Sequence, residues 1–212
     1  MRLTVFGATG GTGGHVVRQA LDAGHQVTAV VRDPARLTVT HPELTVVTAR
    51  DLTDARALRP AVEGRDAVLS GVGAPTNKRA GIASAGTRGI VRAMEAGGVR
   101  RLVAVSAAPV GAIPPGEAML GRAVMWPVIR AVFRKIYADP AVMERVIAES
   151  ATDWTVVRPP RLLDKPLTGT YRTAVGANVR DARTLGRADL AHAMLALLDD
   201  PGVVRQAVGV AD

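Results

Sequence analysis

The chain has 212 residues, 48% of them hydrophobic but only 3% aromatic, which suits one domain with a core of aliphatic and alanine packing. It contains no cysteine, which excludes disulfides, thiolate catalysis and zinc–thiolate centres, and no apolar run approaches the ~18 uncharged residues of a spanning helix. The formal charge of +8 comes from arginines spread along the chain, and with so few aromatics to stack on bases it points to a solvated surface and a phosphate-bearing ligand rather than nucleic acid.

In chain order, residues 3–6 form a short apolar strand that stops at Gly7. Residues 15–23 follow with helical periodicity at Val16, Val17, Ala20 and Leu21, and Gly24 stands where a C-cap glycine belongs. Strands are expected at 27–31, 44–47, 67–69, 102–105 and 155–157. Helices are expected at 54–62, at 80–96 (closed by Gly97-Gly98), at 142–148 and at 188–198, the last stopped by Asp199-Asp200-Pro201-Gly202. Strands that read as continuous apolar runs and alternate with helices predict a parallel sheet covered on both faces, a doubly wound α/β domain spanning 1–212. Residues 109–140 break the rhythm with five prolines and an apolar stretch interrupted by Arg122 and Arg130. This segment reads as a small substrate-side lid, an interface between copies or a membrane-surface helix. Met1-Arg2 leads straight into the first strand without the longer apolar region of a secretory signal, so a cytoplasmic location is expected.

The first strand ends in Gly7-Ala8-Thr9-Gly10-Gly11-Thr12-Gly13-Gly14, and a helix follows at once. A strand-to-helix turn of this kind exposes free backbone N–H groups at a helix N-terminus, where they and the helix dipole bind a pyrophosphate. Glycines let the backbone approach the phosphates without Cβ clashes. The spacing of Gly7, Gly10 and Gly13 differs from G-x-G-x-x-G, and no Gly-Lys-Ser/Thr follows to make a P-loop. The context is that of a Rossmann-type NAD(P) site. The second strand bears on the choice of nucleotide, because an acidic residue at its end bonds the ribose of NAD whereas arginine suits the 2′-phosphate of NADP. Here Val31 is followed by Arg32-Asp33-Pro34, with Arg36 close behind, which favours NADP and leaves NAD possible. Asp33 has two readings, a cap for the turn before Pro34 or a ribose ligand.

Other polar candidates are sparse. His15, His25, His41 and His192 have no metal-ligand spacing. Met119, Met125 and Met143 read as core, and Trp154 as packing beneath the sheet. Ser106, ending the fifth strand, reads either as a strand-end serine or as part of the site.

The glycine loop, Val31-Arg32-Asp33, Asp51-Leu52, the run Trp154-Thr155-Val156-Val157-Arg158-Pro159-Pro160, Pro166-Leu167-Thr168-Gly169-Thr170-Tyr171 and Arg187-Ala188-Asp189-Leu190-Ala191 together resemble the atypical short-chain dehydrogenase/reductases. Within that group the chain is most similar to the biliverdin-IXβ reductase/flavin reductase branch and its NmrA-like relatives. The resemblance implies that Gly7, Thr9, Gly10, Thr12 and Gly13 hold the pyrophosphate and that Arg32 and Arg36 meet the 2′-phosphate. It assigns Asp51 and Leu52 to adenine, Val72, Gly73 and Ala74 to the nicotinamide ribose, and Ser106, Pro159 and Pro160 to the reactive end. Two departures stand out. Tyr137 is followed four residues later by Ala141, so the Tyr-x-x-x-Lys dyad is absent, and Arg161 stands where flavin reductase relatives carry histidine. Ser106 and Arg161 are the candidate catalytic residues. The implied activity is NADPH-dependent hydride transfer to a flavin, quinone or tetrapyrrole-like acceptor by a monomer or homodimer, with non-catalytic NADP sensing as the rival.

Overall fold

The computed structural model describes residues 1–73, 81–112 and 134–212. Five strands with buried central residues run in parallel: β1 (Arg2–Phe6), β2 (Gln26–Val31), β4 (Ala67–Ser70), β5 (Arg101–Val105) and β6 (Asp153–Arg158). They belong to an eight-stranded sheet in the order β3-β2-β1-β4-β5-β6-β10-β8, with β3 (Leu44–Thr48) at one edge and β8 (Arg172–Val175) at the other. The strand β10 (Gln206–Ala211) runs parallel to β6 and antiparallel to β8. A separate parallel ribbon joins β7 (Arg161–Leu163) to β9 (Thr184–Gly186). The six expected strands are all present. The expectation of a wholly parallel sheet meets one exception at β8, while β7, β8, β9 and β10 went unread in the sequence.

Helices cover both faces. On one, α1 (Gly11–Asp22) packs against α5 (Arg187–Ala196), burying Val16, Val17, Ala20 and Leu21 with Leu190 and Met194. On the other, α2 (Ala55–Val62), α3 (Ile82–Ala96) and α4 (Arg134–Ala148) bury Leu58, Ile90, Met94, Met143 and Ile147 against Phe6 and Leu102, with Trp154 packed at the margin. The doubly wound architecture follows, because strands that are apolar on both sides need a helical layer on each.

Local chemistry sets the element ends. Gly24 closes α1 with φ of +79°, a left-handed conformation that suits glycine. Asp54 caps α2 by accepting hydrogen bonds from the backbone N–H groups of Arg56 and Ala57. The N-terminus of α3 follows Gly81 and has no local side-chain cap. Its caps come from another helix: the buried carboxylate of Asp139 on α4 accepts from the Ala83 and Ser84 backbone N–H groups at 2.9 and 3.1 Å. Most of the 109–140 segment, residues 113–133, lies outside the described residues, so its lid and interface readings do too.

Candidate functional site

The C-terminal ends of the central strands open into a cleft of about 620 Å³. Gly7, Thr9 and Gly10 form one wall, Val31, Arg32 and Arg36 another, and Asp51, Leu52, Val72 and Gly73 the floor and far side. The strand order reverses here, because β1 is followed in sequence by β2 on one side and paired with β4 on the other, and such switch points are where open α/β sheets bind ligands.

The glycines of the loop are spatially required. A Cβ on Gly13 would lie 2.1 Å from the Gly7 carbonyl oxygen, and one on Gly7 would lie 2.9 Å from the Gly71 carbonyl, at a residue whose φ is +76°. A side chain at Gly13 would push the first turn of α1 away from the end of β1, and one at Gly7 would push away the backbone that follows β4. The turn itself is held by Gly10 N–H donating to the Gly7 oxygen at 2.9 Å. Gly10 caps α1 through its backbone alone, so the first-turn N–H groups have no side-chain partner among the described residues.

Arg32 and Arg36 both line the cleft, and no described carboxylate pairs with either. Asp33, by contrast, accepts a hydrogen bond from Ala35 N–H at 3.1 Å and caps the short turn Pro34–Arg36. Of its two readings, the structure gives the cap. Asp51 is likewise engaged in its own turn, accepting from Thr53 N–H at 2.8 Å and Thr53 Oγ1 at 2.7 Å, which hold its carboxyl below the usual carboxylate range. Leu52 is pressed by α3, where a Cβ on Gly89 would lie 2.0 Å from the Leu52 oxygen. Gly86 and Gly89 thus allow α3 to seat the loop that floors the cleft.

Thr12 and Gly13 sit buried in the first turn of α1, behind the cleft wall. Ser106 leaves β5 with its N–H donating to the Val157 oxygen, and its buried Oγ has no partner among the described residues. Pro159 and Pro160 leave β6, with the Pro159 oxygen accepting from Ala108 N–H at 2.9 Å. Ser106, Pro159 and Pro160 therefore cluster at the neighbouring ends of β5 and β6, although none lines the cleft. Arg161 is exposed at the head of β7. Ala74 lies outside the described residues. Sequence reasoning missed Arg50, Thr53, Gly81, Ile82, Ala85 and Gly86, all of which line the cleft. Only Arg50, a third arginine directly before Asp51, carried a readable signal.

The chain matches the family described as NAD(P)H-binding over residues 7–201. It belongs to that family. The glycine cradle, the first-turn N–H groups of α1 and the cleft arginines Arg32 and Arg36, with which no described carboxylate pairs, fit a dinucleotide phosphate. Among solved structures, a short-chain dehydrogenase/reductase from Veillonella parvula in complex with NADP superposes with a TM-score of 0.80 at 20% identity, covering 100% of this chain and 94% of that one. ChuY, an anaerobilin reductase from Escherichia coli O157:H7, gives 0.77 at 22% identity over 100% and 97%. A Streptococcus pneumoniae protein assigned as an NADH-flavin reductase gives 0.82 at 21% identity over 100% and 99%. At these identities the likeness is one of fold. A sequence relative, the photosystem II assembly factor Ycf39 of Synechocystis, is 29% identical over 106 residues, 49% of this chain, and the match spans 32% of that protein's length. Among the described residues no helix is long and apolar enough to cross a membrane, and no three His, Asp or Glu side chains form a metal cluster.

Proposed function

We propose that this protein uses NADPH to reduce a planar, conjugated small molecule of the flavin, quinone or tetrapyrrole class. The observation that carries the reading is the pairing of a glycine cradle with Arg32 and Arg36, two guanidinium groups in one cleft with no described carboxylate to neutralise them. That electrostatic surplus favours the extra phosphate of NADP, and Asp33, the acidic residue that would favour NAD, caps its own turn and does not line the cleft.

A reduced nicotinamide, when bound, supplies hydride. The chain's residues supply position. Gly7, Gly10 and Gly13 let the backbone close on phosphate, and Leu52 is fixed by α3 as an apolar floor. Ser106 Oγ is a buried hydroxyl without a described partner, available as a donor to a carboxamide or an acceptor carbonyl. A guanidinium is always cationic, so Arg161 acts as an anchor for an anionic acceptor rather than as a proton donor. With no Tyr-x-x-x-Lys dyad in the chain, solvent protonates the reduced product, which a conjugated acceptor permits because the negative charge is delocalised.

The test offers purified protein NADPH with FMN, a neutral quinone or biliverdin and follows NADPH oxidation. Turnover of at least one acceptor, with NADPH preferred to NADH, is expected. Ser106→Ala should lower the rate by about tenfold or less, the value of one neutral hydrogen bond. Tight NADPH binding with no turnover of any acceptor would overturn the reductase reading in favour of nucleotide sensing.

A further inference from the structure

Gly11 opens α1, and a Cβ built on it would lie 2.7 Å from Arg187 Cδ and 2.9 Å from Arg187 Nε. The side chain of Arg187 therefore occupies the space where any other residue at position 11 would put its own. It comes from the first residue of α5 and reaches the glycine loop from outside the cleft that Arg32 and Arg36 line. The placement is built into the fold. Leu163 of β7 pairs with Gly186 of β9, so the next residues, Asp164 and Arg187, emerge side by side. Arg187 Nη1 donates to Asp164 Oδ1 at 2.8 Å.

Two contacts hold the start of α5 in this position. Gln19 Nε2 of α1 donates to the Ala188 oxygen at 2.9 Å. The buried carboxylate of Asp189 accepts from Thr168 N–H, Thr168 Oγ1 and Gly169 N–H at 2.9, 3.0 and 2.8 Å. The ion pair that Arg187 makes is weakly committed, since Asp164 is 85% exposed against 29% for Arg187. A solvent-exposed carboxylate of this kind contributes little and is readily exchanged for a stronger anion.

The geometry points to Arg187 as a phosphate-binding residue of the dinucleotide site, closing over the glycine loop onto the pyrophosphate, with Asp164 as the counter-ion it leaves on binding. The inference rests on the NAD(P)H-binding reading and adds a residue from the opposite end of the sequence to it. Two features converge on one anion: the free N–H groups and positive dipole end of α1, and a guanidinium held directly against the first residue of that helix. Because NADPH and NADH share the pyrophosphate, Arg187 acts on both, whereas Arg32 discriminates between them.

Calorimetric titration of the full chain with NADPH and with NADH, in the absence of acceptor, tests this. Arg187→Ala should weaken both nucleotides by the same factor, about ten- to hundredfold for one charge-assisted contact. Arg187→Lys should recover part of the loss. Asp164→Asn should strengthen both by about two- to fivefold, the value of freeing an exposed ion pair. Unchanged affinity in Arg187→Ala, or loss confined to NADPH, overturns the proposal. If nucleotide affinities hold while kcat/KM falls for FMN and not for a neutral quinone, the guanidinium serves the acceptor's phosphate and the proposal is equally overturned. Should Arg187→Ala fail to fold, Asp164→Asn decides alone, since unchanged or weaker binding in that variant refutes the exchange. A parent protein that binds neither nucleotide refutes the family-based site itself, an outcome distinct from all of these.

Discussion

Replacing Gly13 by alanine tests the glycine cradle at its tightest point. The new methyl carbon would lie 2.1 Å from the Gly7 oxygen, 2.7 Å from the Gly7 carbonyl carbon and 3.1 Å from the Ala8 nitrogen. All three are backbone atoms, so no side chain can swing aside. Ordinary contact needs about 3.5 Å, so the first turn of α1 must retreat by about 1.4 Å or the Gly7–Gly10 turn must open. Retreat is resisted by Val16, Val17, Ala20 and Leu21, buried between the sheet and α5. Overpacking of this kind costs about 1–3 kcal/mol, and loss of the turn hydrogen bond adds about 1 kcal/mol. The sum, about 2–4 kcal/mol, should lower Tm by about 5–15 °C in a domain of this size. Nucleotide affinity should fall at least tenfold (about 1.4 kcal/mol), because the N–H groups move with the turn. Gly24→Ala is the control. Its φ of +79° costs about 1 kcal/mol, but nothing lies within 4 Å of the added carbon and the site is remote, so binding should be unchanged. Thermal melts and nucleotide titration of the two variants decide the matter. A Gly13→Ala protein that melts and binds like the parent would refute the cradle argument.

Arg32→Ala should weaken NADPH by about ten- to hundredfold and leave NADH unchanged, measured by fluorescence titration. Equal affinity of the parent for both nucleotides would contradict the 2′-phosphate role. Glu144→Gln removes one side of an ion pair in which Arg158 and Glu144 are only 16% and 12% exposed and meet at 2.5 Å. Leaving that guanidinium buried without its counter-charge should cost about 3 kcal/mol in denaturant unfolding. Asp153 is held below the usual carboxylate range chiefly by hydrogen bonds from Arg100. A depressed pKa contributes stability above the ordinary carboxylate range, and that stability is lost as pH falls through the lowered value. Asp153→Asn should therefore be slightly less stable than the parent at neutral pH and converge with it in strong acid.

The sequence by itself determined the doubly wound core and the glycine loop, because both are written in short stretches of chain. Apolar runs such as 27–31 and 102–105 are buried on both faces and carry their strand signal locally. The glycine loop is legible because strand, glycines and helix are contiguous, and Arg32 because it ends the strand beside that loop. The cap role of Asp33 was one of two readings, and only the hydrogen bond to Ala35 N–H separated them.

Tertiary structure decided what depends on distant segments meeting. β10 went unread although it is as long as β2; its Gly209 is required because a Cβ there would lie 2.7 Å from the Ala177 oxygen, across a crossing invisible along the chain. β7 and β9 have three residues each and are strands only because they pair with one another. Asp139 caps a helix more than fifty residues away, and Asp189 in the first turn of α5 is the buried acceptor for the Thr168-Gly169 turn. Arg187 looks like one arginine among many until the pairing of β7 with β9 and the packing of α5 on α1 carry it to Gly11. Periodicity and turn chemistry are properties of neighbours in sequence, whereas a charge's partner is set by packing between elements, and only the folded chain brings those together.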